Sequence, residues 1–369
     1  MQTEEIKKAA CELMAEIEKS PKTAAEIFSF YTRHRRYIGS KDRRKIADLM
    51  WGMIRCQAHL DFLMPTADWP EKLAAYEQAV ERDLCFDNEE NLPLWVRCEC
   101  PKWLLCHFDN PEKELSAMRQ SAPFILRVNG DRDKIRLLLE KEGLATRPTV
   151  LSPFGLIGEK RMNLQTSACY QKGLVEVQDE ASQMVCLDIC PKEGDNVLDM
   201  CAGAGGKTLT FGFLMKNKGR IVAHDISEKS LQELKKRSDR AGLKIVRIIH
   251  QLPFQESKKE LFDLVCIDSP CSGTGVWRRS PDSKWKLTQE QFEKLLKTQK
   301  DLLNKGALFV KNGGRLAYIT CSLTKDENEN QVTDFLQNHA DFTCLLQKKY
   351  SPATTQTDGF FVTVLQKNK

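Results

Sequence analysis

Apolar residues recur every three or four positions through the first third of the chain: Ile6, Ala10, Leu13 and Ile17, then Ile46, Leu49, Met50, Met53 and Ile54. That period lines them up on one helix face and predicts helix after helix from residue 1 to about 120, with little sign of strands. Gly39 and Ser40 interrupt the chain just before the second stripe, and Ser40 is the predicted N-cap. From Pro123 the pattern changes. Phe124 to Asn129 reads as a strand, Asp131 to Leu144 as a helix and Leu174 to Val177 as a further strand, which predicts a small α/β connector over residues 121–178. After Glu180 short apolar runs alternate with amphipathic helices at the spacing of a parallel, doubly wound sheet, so residues 179–369 are predicted to form a Rossmann-like α/β domain. There is no internal repeat and no low-complexity tract.

A chain of 369 residues, 41% hydrophobic and 29% charged, has room for two or three domains and can bury a core without disulfide staples. Its longest uncharged apolar candidate, Thr149 to Gly158, has ten residues and contains Pro153. A spanning helix needs roughly 18, so no membrane span is expected. Met1 to Lys8 is charged and lacks the apolar stretch of a secretion signal, and the fourteen cysteines are accordingly expected to be thiols in a cytoplasmic protein. The net charge of +5 is small, but its distribution is not even. Between Tyr31 and Leu60, eight basic residues (Arg33, Arg35, Arg36, Lys41, Arg43, Arg44, Lys45, Arg55) face only Asp42 and Asp48. A solvated helix face is the common origin of such a run; phosphate binding is the functional alternative.

Asn196-Val-Leu-Asp-Met is a short apolar strand, followed at once by Cys201-Ala-Gly-Ala-Gly-Gly-Lys-Thr and then a helical run from Leu209 to Met215. Strand, glycine loop and helix N-terminus together let backbone N–H groups approach a ligand. A second strand, Arg220-Ile-Val-Ala-His-Asp, ends in Asp225, nineteen residues beyond Gly206, where an acid can accept from ribose hydroxyls. Two ligand classes compete for this loop. Gly206-Lys207-Thr208 looks like the tail of a P-loop, with Leu264 to Asp268 as its strand and magnesium-binding acid, which would make the chain an NTPase. That pattern requires glycine where this chain has Cys201, and S-adenosylmethionine suits the loop better than NAD because no pyrophosphate needs cradling.

Two cysteines stand apart because both follow strands of the predicted sheet, at the carboxyl edge where open α/β folds bind ligands. Cys271 lies in Asp268-Ser-Pro-Cys-Ser-Gly-Thr-Gly, and Cys321 ends Arg315-Leu-Ala-Tyr-Ile-Thr-Cys. A buried inert thiol is the ordinary fate of either alone. Beside an adenosine loop the pair suggests a particular chemistry. C5 of cytosine is too weak a nucleophile to take a methyl group from a sulfonium. A thiolate adding to C6 makes C5 an enamine carbon, an acid at N3 stabilises the developing charge, and a base later removes the C5 proton so that the thiol can leave.

Asp199-Met-Cys-Ala-Gly-Ala-Gly-Gly-Lys-Thr, Asp268-Ser-Pro-Cys-Ser-Gly-Thr-Gly, Thr320-Cys-Ser-Leu and Thr357-Asp-Gly-Phe-Phe resemble the RNA cytosine-5 methyltransferases, most closely the bacterial small-subunit ribosomal RNA methyltransferase B type. The likeness runs from about Val175 to the end and, more loosely, over Tyr37 to Arg44 and Leu126 to Asn129. It implies a Rossmann-like S-adenosylmethionine-dependent domain behind a helical RNA-binding domain, with small-subunit rRNA as partner, no membrane and a monomeric enzyme. It implies Cys321 as nucleophile, Cys271 in product release and Asp268 at the base. Cofactor contacts are implied for Cys201, Ala202, Gly203, Ala204, Gly205, Gly206 and Lys207, and for Asp225 and Asp268. The chain departs from the family at Ala204, where many relatives carry proline, and at Ile249-His-Gln-Leu-Pro, where an acid often lies near the adenine and Gln251 is the available substitute. The helical region also looks shorter than the family's usual RNA-binding domain. A non-catalytic RNA-binding module on a relic fold is a further alternative, opposed by the presence of both cysteines.

Trp277-Arg-Arg-Ser-Pro-Asp-Ser-Lys-Trp-Lys286 interleaves cations with aromatics and is expected either to stack bases and pair phosphates, or to be a loop anchored by two packed tryptophans. Cys98, Cys100, Cys106 and His107 lack the two-residue spacing of a zinc site, and no metal is expected. His224 is expected to pack against the sheet.

Overall fold

Residues 1–82, 91–160, 163–252 and 261–368 are described by a computed structural model. The chain divides into two units, one made of residues 1–121 with 276–291 and the other of residues 122–275 with 292–369. The division differs from the three-part expectation in two ways: the predicted connector belongs with the large sheet, and the Trp277–Lys286 segment belongs with the helices.

The first unit is helical, and no strand occurs among its described residues. Helix Thr3–Lys19 buries Ile6, Ala10, Leu13, Met14 and Ile17 against Ile46, Met50, Met53 and Ile54 of helix Ser40–Arg55, the two stripes read from the sequence. Capping boxes at Thr23 and Asp68 open helices Ala24–His34 and Trp69–Glu81 by accepting from Glu26 N–H and Glu71 N–H. Ser40 is the first residue of its helix rather than its cap; Gly39 holds the cap position and makes no side-chain cap bond.

The segment 276–291 is packed rather than free. Trp277 is 2% exposed, Asp282 accepts from Ala24 N–H at 2.8 Å, and the Trp285 indole N–H donates to Ile54 O at 3.3 Å. The buried Lys284 ammonium lies 4.0 Å from Glu99, which also takes the His59 ring at 2.6 Å. Burial pulls the Lys284 pKa down while Glu99 opposes it. Of the two expectations for this segment, the anchored loop is the one observed: its tryptophans are spent on packing.

The second unit holds two sheets. The smaller is antiparallel in the order β2-β3-β1-β4, from β1 (Phe124–Val128), β2 (Thr146–Pro148), β3 (Gly155–Gly158) and β4 (Val175–Val177), with helix Arg132–Lys141 capped by Asp131. The larger comprises β5 (Asn196–Asp199), β6 (Arg220–His224), β7 (Val246–Ile249), β8 (Phe262–Asp268), β9 (Val310–Thr320), β10 (Phe342–Tyr350) and β11 (Phe360–Lys367). Its order is β10-β11-β9-β8-β5-β6-β7, with β5 to β9 parallel and β11 antiparallel between β9 and β10. This is a Rossmann-like sheet.

Its central strands are apolar throughout because each face has its own core. On β8, Val265 and Ile267 face Leu303, Ala307, Val332 and Phe335, whereas Leu264 and Cys266 face Val185, Cys186, Ile189 and Phe211. Strand order reverses at β5, which pairs with β6 on one side and β8 on the other, so a crevice opens at the carboxyl ends of β5, β6 and β8.

Candidate active site

The glycine loop emerges at that crevice. After β5, residues 200–205 turn into helix Gly206–Leu214. Gly205 caps it with φ +87°, and a Cβ there would come within 2.8 Å of Leu234, so only glycine fits. The loop is tied to the end of β6: Ala202 N–H donates to His224 O at 2.9 Å, and the Asp225 carboxylate accepts Gly203 N–H and Ser227 N–H, each at 2.8 Å. The loop from Cys201 to Lys207 and the distal acid predicted from spacing therefore lie together. Cβ atoms on Gly203 and Gly206 would meet nothing within 4 Å, so the open side of the loop has room for a ligand. His224 sits half-buried with its ring bonded to Met200 O at 3.0 Å, as expected of a packing residue.

Beneath the loop, Asp199 is fully buried and its carboxyl accepts from Thr208 Oγ at 2.7 Å. Its Oδ1 has no partner among the described residues, and burial pushes its pKa up to about 7, with the Thr208 bond opposing. Cys201 is likewise pushed up by burial and stays a thiol.

Lys207, in the first turn of the helix, turns to the neighbouring strand end: its ammonium lies 2.5 Å from Asp268 and 5.1 Å from the centre of the Phe360 ring. Burial works against its charge, yet the Asp268 carboxylate overrides that and raises the Lys207 pKa above the ordinary lysine value.

Strands β8 and β9 run parallel with Asp268 opposite Ile319, so the segments that follow them leave the sheet side by side. Cys271 and Cys321 come from those segments, and their sulfurs are 3.3 Å apart. The Cys321 contact and burial both raise the Cys271 pKa well above the usual thiol range, so Cys271 keeps its proton. Gly275 locks the arrangement by donating to Cys321 O at 2.9 Å and accepting from Gly359 N–H at 2.7 Å. A Cβ on Gly275 would lie 2.2 Å from Gly359 O, and a Cβ on Gly359 would lie 2.5 Å from Gly275 Cα, which accounts for the glycine in Asp358-Gly-Phe-Phe.

Sequence reasoning missed the residues behind this arrangement. Arg237 donates to Ala204 O at 2.6 Å while paired with Glu176 of β4 at 3.0 Å, and Gln178 donates to Gly206 O at 3.3 Å, so the small sheet braces the glycine loop. Glu327 sits between the two cysteine segments. Its only trace in the sequence is an acid six residues past Cys321.

A family profile described as 16S rRNA methyltransferase RsmB/F matches residues 185–366. A ribosomal RNA small subunit methyltransferase B from Proteus mirabilis is 33% identical over 279 residues, 72% of this chain and 65% of the relative. The chain belongs to the RsmB/F methyltransferase family. It spans about two thirds of the length of the curated relatives it matches. Among solved structures, PH0851 superposes with a TM-score of 0.80 at 22% identity, covering 100% of this chain and 99% of its own. A methyltransferase homolog from Pyrococcus horikoshii gives 0.65 at 26% identity, covering 74% of this chain and 97% of its own. Membership in the RsmB/F family sets aside the NTPase alternative for Gly206-Lys207-Thr208.

Proposed function

We propose that this protein transfers a methyl group from S-adenosylmethionine to C5 of a cytosine in RNA, with small-subunit rRNA as the substrate, through a covalent bond between Cys321 and C6. The observation that carries the reading is the 3.3 Å pair of thiols on the segments that leave β8 and β9, with Asp268 at the end of β8 paired to Lys207 of the helix that follows the glycine loop. The donor set fits the cofactor. Gly203 to Gly206 leave an open backbone surface, and Asp225 has lone pairs beyond its two N–H bonds for ribose hydroxyls. When bound, S-adenosylmethionine supplies an electrophilic methyl group.

The chain's own groups then divide the work. The Cys321 thiolate adds to C6 and sends charge to N3, which is neutralised by a proton passed through Asp268 from the Lys207 ammonium paired with it. C5 becomes nucleophilic and takes the methyl group. Once the C5 proton has gone to a base, the electron pair re-forms the C5–C6 double bond and the C6–S bond breaks. Cys271, which keeps its proton, donates its S–H to the departing Cys321 sulfur and so favours release. The target base must leave its stack to reach these groups. The proposal has the enzyme act as a monomer in the cytoplasm; light scattering tests the first.

The two cysteines make opposite demands on the intermediate. Cys321→Ala should abolish turnover and form no adduct. Cys271→Ala should still attack and methylate, then accumulate a protein–RNA complex that survives denaturing electrophoresis. A stable adduct in Cys321→Ala but not in Cys271→Ala exchanges the roles, and full activity in both overturns the covalent mechanism.

A further inference from the structure

Glu327 is fully buried, and its carboxylate receives five neutral donors from three parts of the chain. From the segment that carries Cys271, Ser272 N–H donates to Oε1 at 2.7 Å and Ser272 Oγ to Oε2. From the segment that carries Cys321, Ser322 Oγ and Thr324 Oγ donate to Oε2 at 2.5 and 2.9 Å. Gln299, in helix Gln289–Ala307, donates to Oε1 at 3.0 Å and also to Pro270 O at 3.0 Å. Ser272 and Ser322 each directly follow one of the two thiol-bearing residues.

The clasp is itself held rigidly. Tyr318 Oη donates to Glu327 O at 2.7 Å, and Asn328 accepts from Thr320 Oγ at 2.5 Å while donating to Ser322 O at 2.9 Å. A carboxylate suits the position because it only accepts and its two oxygens offer about four lone-pair sites. Charge-assisted bonds are also shorter and stronger than neutral ones. Burying such a group is costly unless every lone pair is engaged, so five converging donors mark a built feature.

We propose that Glu327 is a positioning residue that sets the spacing of the Cys271 and Cys321 sulfurs by clasping the two segments that carry them. The proposal rests on the reading of these thiols as the reacting pair. Glu327 touches neither sulfur; it acts through Ser272 and Ser322. Thiols that must form and break one bond in turn tolerate little drift, and a misplacement of about 1 Å costs rates on the order of a hundredfold.

The test compares wild type with Glu327→Gln and Glu327→Ala in three measurements: kcat and KM for RNA methylation, S-adenosylmethionine affinity by calorimetry, and bridging of Cys271 to Cys321 by dibromobimane, mapped by peptide mass spectrometry. Glutamine keeps the shape and one acceptor oxygen, so it should fold and fall between the other two. The expected result is a kcat loss of roughly a hundredfold in Glu327→Ala and less in Glu327→Gln, with KM and cofactor affinity within about twofold. Bridging yield should fall in the same order. A kcat loss with unchanged bridging, or a Glu327→Gln protein equal to wild type in both, overturns the proposal. Wild type that bridges its thiols but methylates no RNA would defeat the functional reading instead, and bridging in the variants would still decide the clasp.

Discussion

Asp199 offers a sharp test of the electrostatics beneath the glycine loop. Its carboxyl is fully buried, with one hydrogen bond from Thr208 and one oxygen without a partner among the described residues, and its pKa is raised from 3.8 to about 7. In the unfolded chain the group ionises near 3.8; in the native protein it keeps its proton until about 7. The native state therefore binds more protons across that window, and stability falls as pH rises through it, levelling off above pH 7. At about 1.36 kcal/mol per pH unit the full penalty is roughly 4 kcal/mol, of which about 3 kcal/mol develops between pH 5 and pH 8. The amide introduced by Asp199→Asn cannot ionise, and its oxygen can still accept from Thr208. Urea unfolding of both proteins at pH 5, 6, 7 and 8 should show the variant gaining on wild type by about 3 kcal/mol over the series, the gain ending near pH 7 to 8. A difference between the two proteins that is constant with pH would refute the reasoning, because it would mean that Asp199 is ionised in the native state throughout.

Two further outcomes follow from the cofactor loop and the basic segment. Asp225→Ala removes the acceptor of Gly203 N–H and the proposed ribose contact, and calorimetry should show S-adenosylmethionine affinity falling about ten- to a hundredfold; unchanged affinity would separate Asp225 from the cofactor. In the basic segment Arg43 is bonded to Ile38 O and Thr32 O and Arg35 stacks on Tyr31, so the exposed Arg33, Arg36 and Arg44 are the ones to change. Their joint replacement by Ala should weaken RNA binding and lower its salt slope by a little under ~1 per lost phosphate contact. An unchanged slope would return the segment to a solvated helix face.

Much of this protein is set by local pattern. The helical stripes of Ile6 to Ile17 and Ile46 to Ile54, the strand–loop–helix from Asn196 to Met215 and Asp225 at the end of the next strand were legible because each depends on residue period or on turn chemistry within a short span. The short strands β2 and β3 were not. β2 has three residues and ends in Pro148, and β3 is framed by Gly155 and Gly158, so neither carries a period long enough to detect.

The Trp277–Lys286 segment shows a different limit. Cations between tryptophans read alike whether the rings are exposed or packed, and only Asp282 at Ala24 and Trp285 at Ile54, far away in sequence, decide that they are packed. The same holds at the site. Spacing and motif brought Cys271, Cys321 and Asp268 forward as separate residues at strand ends. Their meeting depends on β8 lying beside β9, and the braces behind them come from Glu327, Gln299, Arg237 and Glu176, whose longer-range bonds (Gln299 and Ser272 to Glu327, Arg237 to Glu176) cross 28 to 61 residues of chain. A side chain's identity states which bonds it can make, and that much was determined by the sequence alone. Which partner it finds was left to tertiary structure, because a buried polar group is satisfied only by what the fold delivers to it.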